Sequence, residues 1–256
     1  MGRRRVAAED WVRVESLSKA FGGRPALRAV SLRLARGRTL GLVGPSGSGK
    51  STLARCLAGF ETPDDGTISL DGVPLARAHG LPPVQLIFQE AAASLNPRFT
   101  AAEIIAEPLA IARRGTAASR RKAAGDWLVT VGLPREAMRK PALAFSGGER
   151  QRLAIARALA AEPKLLILDE SLSGLDIVLQ AQLAALLGRL RAQFGLTVIL
   201  ITHDLALAAW VSEDIAVMDR GEIVEHAPAA ELLSAPRHPR TREMLAASLS
   251  LEGAEP

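Results

Sequence analysis

The chain has 256 residues, 48% of them hydrophobic, and a formal net charge of +5 in which 27 arginines far outnumber 5 lysines. That length suits one large domain, or a domain carrying a smaller insertion. A mild basic excess suits an anionic ligand, a membrane surface or nucleic acid without choosing among them. No apolar run reaches the roughly 18 residues that cross a bilayer, and Met1–Asp10 lacks the apolar stretch of a signal peptide, so a cytosolic chain is expected.

Residues 11–43 read as short strands separated by turns. Val12, Val14 and Leu17 sit along the first, Gly22-Gly23 breaks it, and Arg36-Gly37-Arg38 closes the next turn. Phe21 stands beside the Gly-Gly turn, as a core plug or as a platform for a flat base. Thr39–Val43 reads as a buried strand leading into Gly44-Pro45-Ser46-Gly47-Ser48-Gly49-Lys50-Ser51-Thr52. That run has two glycines five apart, then Lys, then Ser, which is the phosphate-loop pattern. Glycines let successive N–H groups turn inward on an anion. Lys50 is then placed to set an ammonium on the terminal phosphates, and Ser51 to offer a hydroxyl to Mg²⁺. Thr52–Ala58 is the helix that follows, its positive end on the same site. The alternative is a glycine-rich turn without a ligand, which the strand on one side and the helix on the other disfavour. Cys56, the single cysteine, lies inside this helix and excludes an internal disulfide or a cysteine-built metal site.

Residues 66–75 form a hairpin turning at Asp71-Gly72, and Val84–Phe88 is another short apolar run, ending in Gln89-Glu90. From there to about Leu143 prolines punctuate Ala-rich patches, which reads as a helical insertion with helices over 101–111 and 119–131. The run Arg113–Lys122 is the densest in positive charge; a solvated face and contact with lipid headgroups are its two readings. Ser146, with Glu149 three residues on, makes a capping box. The cap leaves Gly147 and Gly148 unexplained, and Ser-Gly-Gly at a helix start is a second potential anion site.

Lys164–Asp169 is a buried strand ending in Asp169 and Glu170, at the end where parallel sheets bind ligands. Asp169 suits a Mg²⁺ ligand and Glu170 a base toward an attacking water. A helix with Leu179, Leu183, Leu186, Leu187 and Leu190 on one face follows, stopped by Gly195. Leu196–Ile201 is a third apolar strand, and it delivers His203 to the same end. Residues 215–225 form a hairpin around Arg220-Gly221, and the Ala- and Pro-rich tail is expected to be less structured.

Taken in order, these motifs resemble an ABC-type ATPase over nearly the whole chain. The phosphate loop at 44–52, Gln89 of the Q-loop and the signature Phe145–Glu149 come first. Walker B at Leu165–Glu170, the D-loop at Ser173–Asp176 and His203 as switch histidine follow. The resemblance implies an α/β fold. Its parts are a P-loop NTPase core with a mixed sheet, an N-terminal antiparallel β subdomain and a helical subdomain insertion. The divisions fall at 1–89, 90–145, 146–228 and 229–256. It implies ATP and Mg²⁺ as cofactors, with Phe21 on adenine. Ser51, Gln89 and Asp169 fall on the metal, and Glu170 and His203 act in hydrolysis. Two cassettes, alike or related, are expected to pair head to tail, so that Ser146, Gly147, Gly148, Glu149 and Asp176 meet the partner's nucleotide. Transmembrane permeases, and indirectly a substrate-binding protein, are the further partners, with the chain peripheral at the cytoplasmic face of the membrane. Nucleic acid is not expected. Two positions depart from the usual pattern: Glu149 stands where Gln is commoner, and Ser171 where Pro or Ala is. Ser94–Arg98, Glu107–Leu109, 176–182 and the 236–242 tail are similar to cassettes of peptide and nickel importers. An ATPase serving an enzyme complex, such as a phosphonate C–P lyase, is the alternative.

Overall fold

Alternating burial builds the first layer. In the computed structural model, which describes residues 10–75, 83–88, 94–172 and 175–252, β1 (Asp10–Phe21) and β2 (Arg24–Ala35) form a long hairpin. Its turn is Gly22-Gly23, both at positive φ, as a two-residue loop of this twist requires. Val12, Val14 and Leu17 face inward from β1 and Leu27, Val30, Leu32 and Leu34 from β2. After β3 (Thr39–Val43) and α1 (Lys50–Leu57), β4 (Asp65–Leu70) and β5 (Val73–Pro74) form the second hairpin. Asp71-Gly72 is its turn, and the four strands make one antiparallel sheet in the order β2-β1-β4-β5.

The second sheet holds β6 (Val84–Ile87), β7 (Leu165–Asp169), β8 (Thr197–Thr202), β9 (Asp214–Asp219) and β10 (Glu222–Pro228) beside β3. Its order is β10-β9-β3-β8-β7-β6, all parallel except β10. The three central strands β3, β8 and β7 are buried along their whole length. That is why they read as unbroken apolar runs and not as alternating ones. Period two still sorts their faces. Leu165, Ile167, Ile199 and Ile201 meet α1 and the antiparallel sheet, while Leu166, Leu168, Val198 and Leu200 meet helices on the other side.

Those helices are α2 (Ala101–Ile111), α3 (Ala117–Thr130), α4 (Gly147–Ala160) and α5 (Ile177–Phe194). Thr100, Thr116 and Ser146 each open a helix with a reciprocal capping box, which satisfies two of the four free N–H groups of a first turn. Gly195, at φ 62, ends α5 in the left-handed conformation that costs glycine nothing. Leu183, Leu186, Leu187 and Leu190 are buried as their spacing predicts. Most of Arg113–Lys122 is exposed.

Two expectations change. Phe21 is 45% exposed and so is not a core plug. α6 (Leu205–Val211) precedes the last hairpin, and the tail beyond that hairpin is helical, with α7 (Ala229–Ser234) and α8 (Pro239–Glu252). Pro239 there occupies a first helical position, where its missing N–H costs nothing. Ala229 and Leu232 are buried against β9 and α6, and Thr241 is fully buried. Among the described residues no helix is long and apolar enough to cross a membrane.

Candidate functional site

The sheet register levels three strand ends. Val43 pairs with Thr202 across β3 and β8, and Asp169 pairs with Ile201 across β7 and β8. Gly44, Glu170 and His203, each one residue beyond its strand, therefore leave the sheet along one edge. Gln89 follows β6 toward the same edge in sequence but lies outside the described residues, as do Ser173 and Gly174.

The glycine loop is shaped by close approach at both ends. A Cβ on Gly44 would fall 2.1 Å from the Met218 carbonyl oxygen, and one on Gly49 would fall 2.6 Å from that of Ala26. Gly49, at φ 107, also stands at the N-cap of α1. Gly47, at φ 78, faces open space, so there only the conformation asks for glycine. Ser48 N–H donates to Pro45 at 3.2 Å and Gly221 N–H donates to Ser48 at 2.9 Å. The loop is thus braced by β9 and the turn after it. Ser46 and Gly47 carry the exposed side of the loop. Ala26 belongs to the hairpin that ends in Phe21, and the Lys19 ammonium lies 5.4 Å from the Phe21 ring centre.

Lys50 is buried, and its ammonium donates to Gly44 at 2.8 Å and to Pro45 at 2.9 Å. Burial lowers its pKa, against the opposing fields of Glu170 and Asp169. Ser51, beside Thr52 in the first turn, donates its hydroxyl to Asp169 Oδ1 at 3.1 Å. Burial raises the Asp169 carboxyl, with the Ser51 bond acting the other way. Both charges are therefore held where burial disfavours them. An anion at Lys50 and a cation at Asp169 would each restore the charged form. The hydroxyl and carboxylate oxygens of Ser51 and Asp169 are hard donors of the kind Mg²⁺ takes. Among the described residues no group of three or more His, Cys, Asp or Glu side chains is arranged to hold a metal ion by itself. A hard cation here would draw further oxygens from water or a phosphate ligand.

Glu170 is a non-glycine residue at φ 47, with its N–H donating to Ile201 at 3.0 Å. Such backbone strain, about 1–2 kcal/mol, persists where the surroundings over-determine it, often at functional sites. His203 Nδ1 lies 4.0 Å from its carboxylate, and the imidazole is 61% exposed. His203 is open to a ligand, while the Glu170 carboxylate beside it is only 19% exposed.

Ser146 and its glycines sit elsewhere. Ser146 N–H donates to Glu149 Oε2 at 2.8 Å, and Glu149 N–H donates back to Ser146 Oγ at 3.3 Å. The Ser146 N–H bond, with the Lys140 ammonium 3.6 Å away, keeps the Glu149 carboxyl below its ordinary range. A Cβ on Gly148 would fall 2.7 Å from Leu179 of α5, whose N-cap is Asp176, while Gly147 has open space. The signature and the D-loop end are thus neighbours. The side-chain hydrogen bonds of Ser146, Glu149 and Asp176 run within their own helix starts and not to the glycine loop. Met218 and Gly221, whose backbones brace the loop, were not legible in sequence, because they act through atoms every residue carries.

Residues 27–173 match the family described as ABC transporter. A Brucella abortus protein named for peptide import and ATP binding is 44% identical over 95% of this chain and 79% of its own length. The D,D-dipeptide transport ATP-binding protein DdpF of Escherichia coli is 44% identical over 86% of this chain and 69% of its own. Among solved structures, an ATP-binding cassette in a dimeric post-hydrolysis state with ADP and Pi superposes with a TM-score of 0.74. It is 29% identical, over 85% of this chain and 98% of that one. The cbiO1 protein of Clostridium perfringens, part of an ABC transporter complex, reaches a TM-score of 0.80 at 26% identity, over 96% and 98%. The chain belongs to the ABC transporter family, as an ATP-binding subunit with ATPase activity.

Proposed function

We propose that this chain drives peptide import, by ATP hydrolysis at the strand-end site and by docking a membrane permease in a groove beside α2. The groove carries the importer reading. Phe60, Phe88 and Ile111 are exposed at 64%, 38% and 75%, and line it with Pro108. Phe60 and Phe88 touch, ring centres 5.7 Å apart. At its wall the Arg157–Glu107 ion pair, 2.7 Å, supplies a polar rim. An apolar strip with such a rim suits an amphipathic helix end. Beside it, Asn96 turns the chain, its side-chain oxygen accepting Arg98 N–H at 3.1 Å and its carbonyl accepting Phe99 N–H at 3.1 Å. The peptide and dipeptide named in the relatives' names support peptides as cargo; neither name carries nickel, which rests on resemblance alone.

Within the site, Lys50 and the loop amides hold ATP phosphates and Phe21 takes the adenine. Ser51, Asp169 and Gln89 hold Mg²⁺, which neutralises phosphate charge when bound. Glu170 accepts a proton from the attacking water and His203 contacts the terminal phosphate. Ser146, Gly147, Gly148, Glu149 and Asp176 close on the nucleotide of a second cassette, the same or related. Residues 1–89 and 146–228 work as the catalytic body, 90–145 as the coupling part and 229–256 as the C-terminal segment. The assembly sits peripherally at the cytoplasmic face of the membrane.

The test is uptake per ATP consumed, in vesicles holding the permeases that co-purify with the chain. Changing Asn96-Pro97 to Ala-Ala, or Ile111 to Glu, should leave basal ATPase within about twofold, ~0.4 kcal/mol of barrier, and uncouple uptake. Intact coupling in both, or no permease bound, removes the importer reading and favours the enzyme-complex alternative.

A further inference from the structure

The C-terminal helix α8 is fastened to the sheet at two places. The first is on β10, where a register shift between Ile223 and Glu225 marks a bulge, a device that re-aims a side chain. The Glu225 carboxylate accepts the Arg237 N–H at 2.9 Å, the His238 N–H at 2.9 Å and the Thr241 hydroxyl at 2.5 Å. These donors surround the start of α8, and Thr241 is fully buried. A strand residue thus supplies the anion that a helix N-terminus favours.

The second place is the tip of the last hairpin. Arg240 of α8 sets its guanidinium Nε 3.5 Å from Asp219 Oδ2, while its Nη1 donates to Glu243 at 2.6 Å. Asp219 and Arg220 stand between the two backbone contacts on the glycine loop, Met218 against Gly44 and Gly221 N–H on Ser48. The tip turn itself is tight, with Arg220 at φ 45 and Gly221 at φ 87. β10 is the edge strand of its sheet and, among the described residues, pairs with β9 alone. Its tip is held from the other sheet by Arg28 N–H, which donates to the Gly221 carbonyl at 2.8 Å, and α8 adds the contact on Asp219.

We propose that α8 is a positioning element for the glycine loop. Arg240, held in place by the Glu225–Thr241 lock, fixes Asp219 and the Arg220-Gly221 turn that braces Ser48, and so sets the affinity for ATP. The inference rests on the reading that this loop holds ATP phosphates. Backbone donors grip an anion only over a few tenths of an ångström, so a loosened brace weakens binding before it affects chemistry.

The test uses the full chain and steady-state ATP hydrolysis with Arg240→Ala, Arg240→Lys, Thr241→Val and, as control, Arg237→Ala. The Arg237 side chain pairs with Glu231 at the surface, and the substitution keeps the backbone N–H that Arg237 gives to Glu225. Arg240→Ala and Thr241→Val should raise KM for ATP about threefold or more with kcat held. Arg240→Lys should restore most of the change, and Arg237→Ala should leave KM unmoved. Amide exchange at Gly221 should quicken in Arg240→Ala. A variant that merely folds less well lowers kcat in proportion to the active fraction and leaves KM alone. That pattern, or an unmoved KM in Arg240→Ala, overturns the proposal even where Thr241→Val fails to fold. Lys50→Ala in the same series separates the two readings. If it leaves ATP binding intact the phosphate role of the loop fails. If it weakens binding while Arg240→Ala does nothing, only the role of α8 fails.

Discussion

Adding one methyl group at Gly44 tests how tightly the loop is set against the sheet. The Cβ would lie 2.1 Å from the Met218 carbonyl oxygen and 2.9 Å from Ser48 Oγ. Ordinary contact begins near 3.4 Å, so β3 and β9 would have to part by about 1 Å. Both are interior strands of the six-stranded sheet, and Val43 pairs with Val217 just before the clash. Overpacking of this kind costs ~3 kcal/mol, at the upper end of the usual range. In a chain of this length that corresponds to roughly 6–12 °C in melting temperature. Gly188 is the contrast. It lies inside α5 with nothing within 4 Å of a Cβ. Gly188→Ala should therefore gain about 1 kcal/mol of helix propensity and raise the melting temperature by roughly 2–4 °C. Thermal unfolding followed by circular dichroism, with ATP binding on the same preparations, measures both. Gly44→Ala should also bind ATP more weakly. A Gly44→Ala protein that melts with wild type would refute the jammed-loop reasoning.

Glu170→Gln should cut ATP turnover by about 100-fold or more while ATP binding stays intact, given the usual size of a general base. Retained turnover above roughly a tenth of wild type would remove Glu170 from that role. Cys56 should resist alkylation at mildly alkaline pH until urea unfolds the chain. Burial, aided by Glu61 and Asp64 and opposed by Lys19, pushes its thiol up to about 11; rapid labelling of folded protein would contradict this. Burial alone would raise the Glu225 carboxyl, but the bonds from Thr241, Arg237 and His238 outweigh it and hold it below the ordinary carboxylate range. A depressed folded pKa stabilises above the unfolded value and loses that stability as pH falls through the folded one. The stability gap between wild type and Glu225→Gln should thus be full near neutral pH and shrink below about pH 4. Urea denaturation across pH measures it, and a gap of constant size would count against the three-donor lock.

Much of this architecture is readable in the sequence, and the reasons differ by element. The strands β3, β7 and β8 announce themselves because burial on both faces demands continuous apolar runs. The helix over 101–111 is legible as an Ala-rich patch in a proline-punctuated stretch, though not by its Thr100–Glu103 cap; α3 begins two residues earlier than expected because Thr116 supplies the cap. The strand-end residues Asp169, Glu170 and His203 could be grouped because parallel sheets gather such ends on one edge. The tail misled because prolines at 236 and 239 read as breakers. What organises it is the Glu225 carboxylate, whose donors lie 12 to 16 residues away and leave no periodic trace. Glu149 likewise reads as an added charge, whereas its carboxylate is turned back onto Ser146 and Lys140.

The sheet order carries a consequence for how the chain is made. β3 and β7, which deliver Lys50 and Asp169, are not neighbours; β8 runs between them. β8 is also the last of the three to leave the ribosome. Until Thr197–Thr202 is available, β3 and β7 each offer an unpaired edge of buried-type sequence, the kind of surface that recruits other chains. The Ser51–Asp169 contact, joining residues 118 apart in sequence, must wait for that insertion. A truncated or stalled chain ending before β8 should therefore aggregate and not bind ATP weakly. Closing the sheet and completing the site would then be one event in folding.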